Sequence, residues 1–189
     1  TLVVGGGVLK STGNMYGRVS ESGTLLVTNG YVDLTSYGEL LNAHNGAGTT
    51  TVGGSGILEV QQLRISQCNY LTAPNCVVNV NTGGVIKLNN FNIDPAANPK
   101  GTVNFNGGTV IARASLDFLG TGATQWLSGI VANILEGGAI IDTADFAITI
   151  KQPLVSGATA DGGLLKKGTG SLALRGTNSY NGATVVEGG

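Results

Sequence analysis

VVNVNTGG, residues 77–84, and TVNFNGG, residues 102–108, are one phrase written twice. Val78, Asn79, Val80 and Asn81 return 25 positions later as Val103, Asn104, Phe105 and Asn106, in the same order and direction. In each copy apolar and polar residues alternate with period two, which places the apolar set on one face of an extended strand. A glycine pair then ends the run. If the two strands stack in register, Val lies on Val and Asn on Asn, one coil apart.

The same grammar runs through the rest of the chain. VVGGGVLK (3–10), LLVTNGYVDL (25–34), TTTVGGSGILEV (49–60), ILEGGAII (134–141) and DGGLLKK (161–167) each join two short apolar runs through a glycine corner. One glycine from every corner (Gly6, Gly30, Gly54, Gly84, Gly108, Gly138 and Gly163) gives steps of about 24 to 30 residues, the range of solenoid repeats. No helical periodicity separates them. Strands that recur without interleaved helices bury their apolar alternates by coiling into a parallel β-helix, here of about seven coils at roughly 27 residues each. A sandwich of hairpins is the alternative, with turn signals at Asn29-Gly30, Asn45-Gly46, Asn106-Gly107 and Asn181-Gly182. Three segments are expected to leave the coil as loops: Gln67 to Cys76, Asp94 to Lys100, and Ala114 to Ser128 with the single Trp126.

Composition agrees and narrows the function classes. Charged residues make up 11% of the 189, and 32 are glycine, against about 25% and about 7% in ordinary domains. A net charge of -1 offers no electrostatic attraction to nucleic acid or to an anionic membrane. No run of about 18 apolar residues would span a bilayer, and Thr1 opens neither a signal peptide nor an ordinary start, so the chain reads as mature or excised. Cys68 and Cys76, in CNYLTAPNC, are read as a disulfide closing one short loop in an oxidising exterior, with a pair of reduced, half-buried thiols as the alternative. A tetrahedral zinc site wants four ligands, and His44 is the only histidine, so neither metal nor cofactor is expected.

GLLKKGTGSLALRGTNSYNGATVVEGG, residues 163–189, resembles the autotransporter-associated β-strand repeat, K-x-G-x-G-x-L-x-L-x-G-x-N-x-Y-x-G-x-T-x-V-x-x-G. The matching positions are Lys167, with Gly168 displaced by one, then Gly170, Leu172, Leu174, Gly176, Asn178, Tyr180, Gly182, Thr184, Val186 and Gly189. The other coils share its style without its signature. The resemblance implies a right-handed parallel β-helix of the kind found in passengers of type V secreted proteins and in large repetitive bacterial surface proteins. Most such proteins are adhesins, toxins or surface scaffolds. It implies an extracellular or outer membrane-associated location, with neighbouring coils or copies of the same protein, and host or environmental surface ligands, as partners.

Chemistry is sought on the site rather than on the fold. Polysaccharide lyases and hydrolases need clustered carboxylates, with basic residues against the substrate's charge. IIDTADF offers Asp142 and Asp145, which read instead as strand-end acids facing water, since no acid recurs at their position one coil earlier. Arg64, Arg113, Arg175, Lys166 and Lys167 are read as solvating outward faces. No G-x-S-x-G, G-D-S-G or G-G-x-G-x-D occurs. Three functions follow: a non-catalytic surface β-helix, which is preferred, a carbohydrate-active enzyme fragment, and a toxin-like passenger.

Joining the two ends turns TVVEGG (184–189) into TVVEGGTLVV, which has the shape of ILEGGAII. The chain is therefore expected to be either a slice of a longer passenger or one unit of an array, its last repeat continuing into residues 1–4 of the next. An array would repeat every 34 Å or so along its axis, at about 4.8 Å per coil.

Overall fold

The computed structural model of the chain describes residues 1–11, 17–18, 22–37, 39–42, 46–66, 75–92, 100–115, 117–119 and 129–189. Among them the alternating runs form twenty-two short strands, with one 3-10 turn at Thr35–Tyr37 and no α-helix. Among the described residues no helix is long and apolar enough to cross a membrane.

Three sheets are visited in rotation. The first holds Leu2–Val4, Gly23–Val27, Gly48–Val52, Cys76–Asn81, Gly101–Asn106, Ile130–Ile134 and Leu154–Ser156. The second holds Val8–Lys10, Tyr31–Asp33, Ile57–Glu59, Val85–Leu88, Thr109–Ala112, Ala139–Asp142, Leu164–Lys167 and Thr184–Val186. The third holds Gly17–Arg18, Glu39–Leu41, Gln62–Arg64, Asn90–Asn92, Asp117–Leu119, Ile148–Ile150 and Leu172–Leu174. Each strand pairs in parallel with the one a full circuit away, as along Cys76–Asn81 and Gly101–Asn106. This is an all-β parallel β-helix, as the repeated phrase predicts.

Register makes the core a set of columns. Val78 lies on Val103, Asn79 on Asn104, Val80 on Phe105 and Asn81 on Asn106. The inward column continues as Val27, Val52, Val80, Phe105 and Ile134, all fully buried, where each such side chain contributes about 1.5–3 kcal/mol. Phe91 of the third sheet reaches across the lumen, edge to face with Phe105 at 6.5 Å and with Phe118 at 6.0 Å. Inside the coil, two buried polar groups are paired through several contacts. Asn42 donates to the carbonyls of Gly48 and Val77 and accepts the Thr50 hydroxyl at 2.8 Å. The Thr143 hydroxyl lies 2.9 Å from the carbonyl of Lys167 and 3.0 Å from that of Gly170.

All seven corner glycines fall at the same bend, between a first-sheet and a second-sheet strand. The reason is clearest at Gly83, the neighbour of Gly84 in its corner, and at Gly163, where φ is +77° and +72°. A Cβ there would stand 2.0 Å from the Gly54 carbonyl oxygen and 2.1 Å from that of Ala183. Backbone therefore packs on backbone, coil upon coil.

Two expectations change. Cys76 is not in a loop; it heads a first-sheet strand and is buried. The expected loop Ala114 to Ser128 contains the strand Asp117–Leu119, whose Phe118 and Leu119 fill the lumen. A two-residue apolar step is too short to show periodicity, yet the core beside Phe91 takes both side chains. The rest of the three expected loops falls largely on residues 67–74, 93–99, 116 and 120–128, outside the described residues. Cys68, His44 and Trp126 are outside them too, so the disulfide pairing falls there.

Candidate functional site

A solenoid offers three outer faces and its edges, and the sequence distributes charge among them unevenly. The seven strands of the first sheet carry no Asp, Glu, Lys, Arg or His. Their outward residues are Val3, then Thr24 and Leu26, Thr49 and Thr51, Val77, Asn79 and Asn81, Thr102, Asn104 and Asn106, Val131 and Asn133, and Val155. One column is tied by side-chain hydrogen bonds. Asn79 donates to the Thr51 hydroxyl at 3.0 Å, Asn104 to Asn79 at 2.8 Å, and Asn133 to Asn104 at 2.9 Å.

The second sheet carries the ions. Its column of stacked outward residues reads Lys10, Asp33, Glu59, Lys87, Ile111, Asp142 and Lys167, and Glu187 follows as an ion pair to Lys167 at 3.6 Å. Lys10 lies 3.3 Å from Asp33. Glu59 is the hub: it accepts the Tyr31 hydroxyl at 2.7 Å and meets Arg113 at 3.2 Å and Lys87 at 3.8 Å. That hydrogen bond, aided by burial and the negative charge of Glu59, pushes the Tyr31 phenol up to about 12. Asp33 is held below the usual carboxylate range, first by the Thr35 hydroxyl and its backbone N–H. In the third sheet, Arg64 meets Glu39 at 2.8 Å and Lys151 meets Asp117 at 2.6 Å.

The residues of the resembling repeat form the last coil. Leu172 and Leu174 pack against the core. Gly170, Gly176 and Gly182 stand where a Cβ would meet the backbone of Phe146, Pro153 and Gly163. Asn178 accepts the N–H of Leu154 at 2.9 Å, and Tyr180 and Thr184 share a hydroxyl hydrogen bond of 2.6 Å. Thr184 and Val186 lie on the second-sheet edge strand, and Gly189 is left-handed at φ +93°. Sequence reasoning overlooked the group that organises this coil. Asp161 accepts the N–H groups of Asn181, Gly182 and Gly163 at 2.7, 2.7 and 3.0 Å, which draws its carboxyl down to about 2, Asn181 contributing most. Its only sequence signal is its place just before a corner glycine pair.

The paired lysines part company. Lys167 points outward to Glu187, whereas Lys166, expected on the outside, stands in the inward column above Ile141 and is buried. Its ammonium donates to the carbonyls of Gly168, at 2.7 Å, and Gly188. Leu164, Lys166, Leu172, Leu174, Thr184 and Val186 line a cavity of about 290 Å³ at this edge of the lumen. The turn after Val186 brings Gly188 beside Gly168, between the second and third sheets. Gly137 and Gly138 lie between the first and second sheets. The two Glu-Gly-Gly turns are thus not equivalent corners.

Asp142 is half-buried and accepts the N–H of Ala144 at 2.8 Å, closing its own turn, and Asp145 is exposed. Among the described residues no group of three or more His, Cys, Asp or Glu side chains is placed to hold a metal ion. Arg113 and Arg64 serve ion pairs between coils, and Arg175 is exposed.

No family model matches this chain. No curated protein and no solved structure matches it either.

Proposed function

We propose that residues 1–189 are a non-catalytic segment of an extracellular bacterial surface β-helix, in a fibre, an adhesin or an autotransporter-type passenger. The observation that carries this reading is the use made of the carboxylates. Glu39, Glu59, Asp117 and Asp161 each hold a group from another coil, and Asp142 caps its own turn. Most of the described acids are spent on joining coils, which suits a chain whose task is length and rigidity. The resemblance of residues 163–189 to the autotransporter repeat adds the surface location. It also makes neighbouring coils or copies, and host or environmental surfaces, the expected partners, with no nucleic acid and no membrane insertion.

Stacking end to end fits the same register. In the second sheet Val8, Leu9 and Lys10 occupy the columns that reach Val185, Val186 and Glu187 at the other edge. Apolar residues would meet apolar ones, and Lys10 would meet Glu187. Electron microscopy of the concentrated chain tests this: filaments are expected. Lys10→Glu and Glu187→Lys should each suppress them, and the double exchange should restore them. Monodisperse particles at every concentration would refute stacking, and release of reducing or unsaturated sugar from a polysaccharide panel would refute the non-catalytic reading.

A further inference from the structure

We propose that the outward face of the first sheet binds a neutral, hydroxyl-rich polysaccharide. The inference rests on the reading of the chain as a non-catalytic surface segment and names what such a segment would hold.

Charge comes first. All the ion pairs described above lie on the second and third sheets or at the corners beside them, while the first sheet presents only Thr, Asn, Val and Leu. Such a face has no attraction for phosphate, sulfate or carboxylate groups, and docking a neutral ligand on it desolvates no ion. Hydrogen-bond capacity comes second. A carboxamide has two N–H donors and two oxygen lone pairs. Asn79 and Asn104 each commit one donor and one lone pair to the ladder. Each keeps one of both, repeated about every 4.8 Å. That pairing matches a sugar hydroxyl, which also donates and accepts. The ladder holds the amides in place beforehand, so little ordering entropy is lost on binding.

The column on one side of the ladder supplies the apolar contact that the C–H faces of sugars need. Val77 and Val131 stand in one column beside the ladder, with Thr102 between them, and Val131, 44% exposed, is a large apolar side chain left open away from the edge strands. Size argues against a protein partner. Seven strands stack over about 30 Å and run about 10 to 20 Å along their length, so the face measures on the order of 300–600 Å². A stable protein partner buries about 800 Å² on each side, around Trp, Tyr or Arg anchors, and none of these is among the outward residues of the seven strands. A polysaccharide chain laid along the ladder needs neither, and gains by repetition.

The 189-residue chain is incubated with microcrystalline cellulose and with chitin particles as neutral probes, and with alginate beads as an anionic one, and both retained protein and released sugar are measured. Retention is expected on at least one neutral probe and not on alginate, and should persist at roughly 1 M salt, where surface charge is screened. Asn104→Asp and Val131→Asp, each checked for an unchanged circular dichroism spectrum, should lower retention about tenfold. Lys87→Ala, on the second sheet, should leave it unchanged. Val131→Asp lies outside the ladder, so it tests the face even if Asn104→Asp loosens the coil. No retention on either neutral probe, or retention indifferent to both first-sheet variants, would overturn the inference. Released sugar would instead overturn the non-catalytic reading.

Discussion

Asn104 donates its side-chain amide to Asn79, one coil earlier, at 2.8 Å. Their backbones are paired in the same register, between Val78 on Val103 and Val80 on Phe105. One row of the solenoid thus shows its two modes of cohesion, an amide ladder outside and an apolar column inside. The two modes should respond to the same insult very differently.

Val80→Asp places an unpaired carboxylate in the fully buried column and should cost several kcal/mol. Asn79→Asp keeps the acceptor for Asn104 but loses the donor to Thr51, at a cost of about 1 kcal/mol. Urea unfolding midpoints measure both. Equal effects would mean that the inward and outward assignments are wrong.

Glycine substitutions should divide by corner geometry. Gly83→Ala forces a Cβ against the Gly54 carbonyl at a left-handed φ of +77° and should destabilise by about 2 kcal/mol or more. Gly6 has open space around it and no left-handed φ, so Gly6→Ala should be neutral or stabilise by up to about 1 kcal/mol. Thermal unfolding of the two variants beside the parent chain decides this.

The lysine pair gives a third contrast. Lys166→Met keeps the buried stem but leaves the carbonyls of Gly168 and Gly188 without their donor, which should cost about 1–3 kcal/mol. Lys167→Met removes a partly exposed ion pair with Glu187 and should cost less than about 1 kcal/mol. The same unfolding curves measure it. The reverse order would place Lys167, and not Lys166, inside the last coil.

Stability should fall at both extremes of pH, by different groups. Tyr31 titrates in the fold at about 12 instead of 10.0. The folded state therefore holds the phenolic proton more tightly, and the stabilisation is full below pH 10 and lost as pH rises from 10 to about 12. Asp161 titrates at about 2 instead of 3.8, so its contribution is full above the unfolded value and lost as pH falls from 3.8 toward 2. Melting temperatures across pH should show a shallower acid limb for Asp161→Asn and a shallower alkaline limb for Tyr31→Phe. Unchanged limbs would show that other groups govern them.

The sequence by itself determined the strands that flank the glycine corners, their common direction, the corners themselves and the pairing of residues 77–84 with 102–108. It could do so because a parallel solenoid repeats one local rule: period two within a strand, glycine at a bend, like upon like one coil later. What escaped it depends on where coils of unequal length bring distant residues. Thr51 and Asn133 join the amide ladder from coils that do not repeat the phrase. Lys10, Asp33 and Glu59 form a column only once the steps between them are resolved into three strands each. Phe118 enters the core because Phe91 and the lumen leave room for it. Lys166 and Lys167 are chemically identical neighbours, and nothing local says which one faces inward. The closed coil stacks Lys166 on Ile141 in the lumen and supplies the two carbonyls that make burial of its charge tolerable.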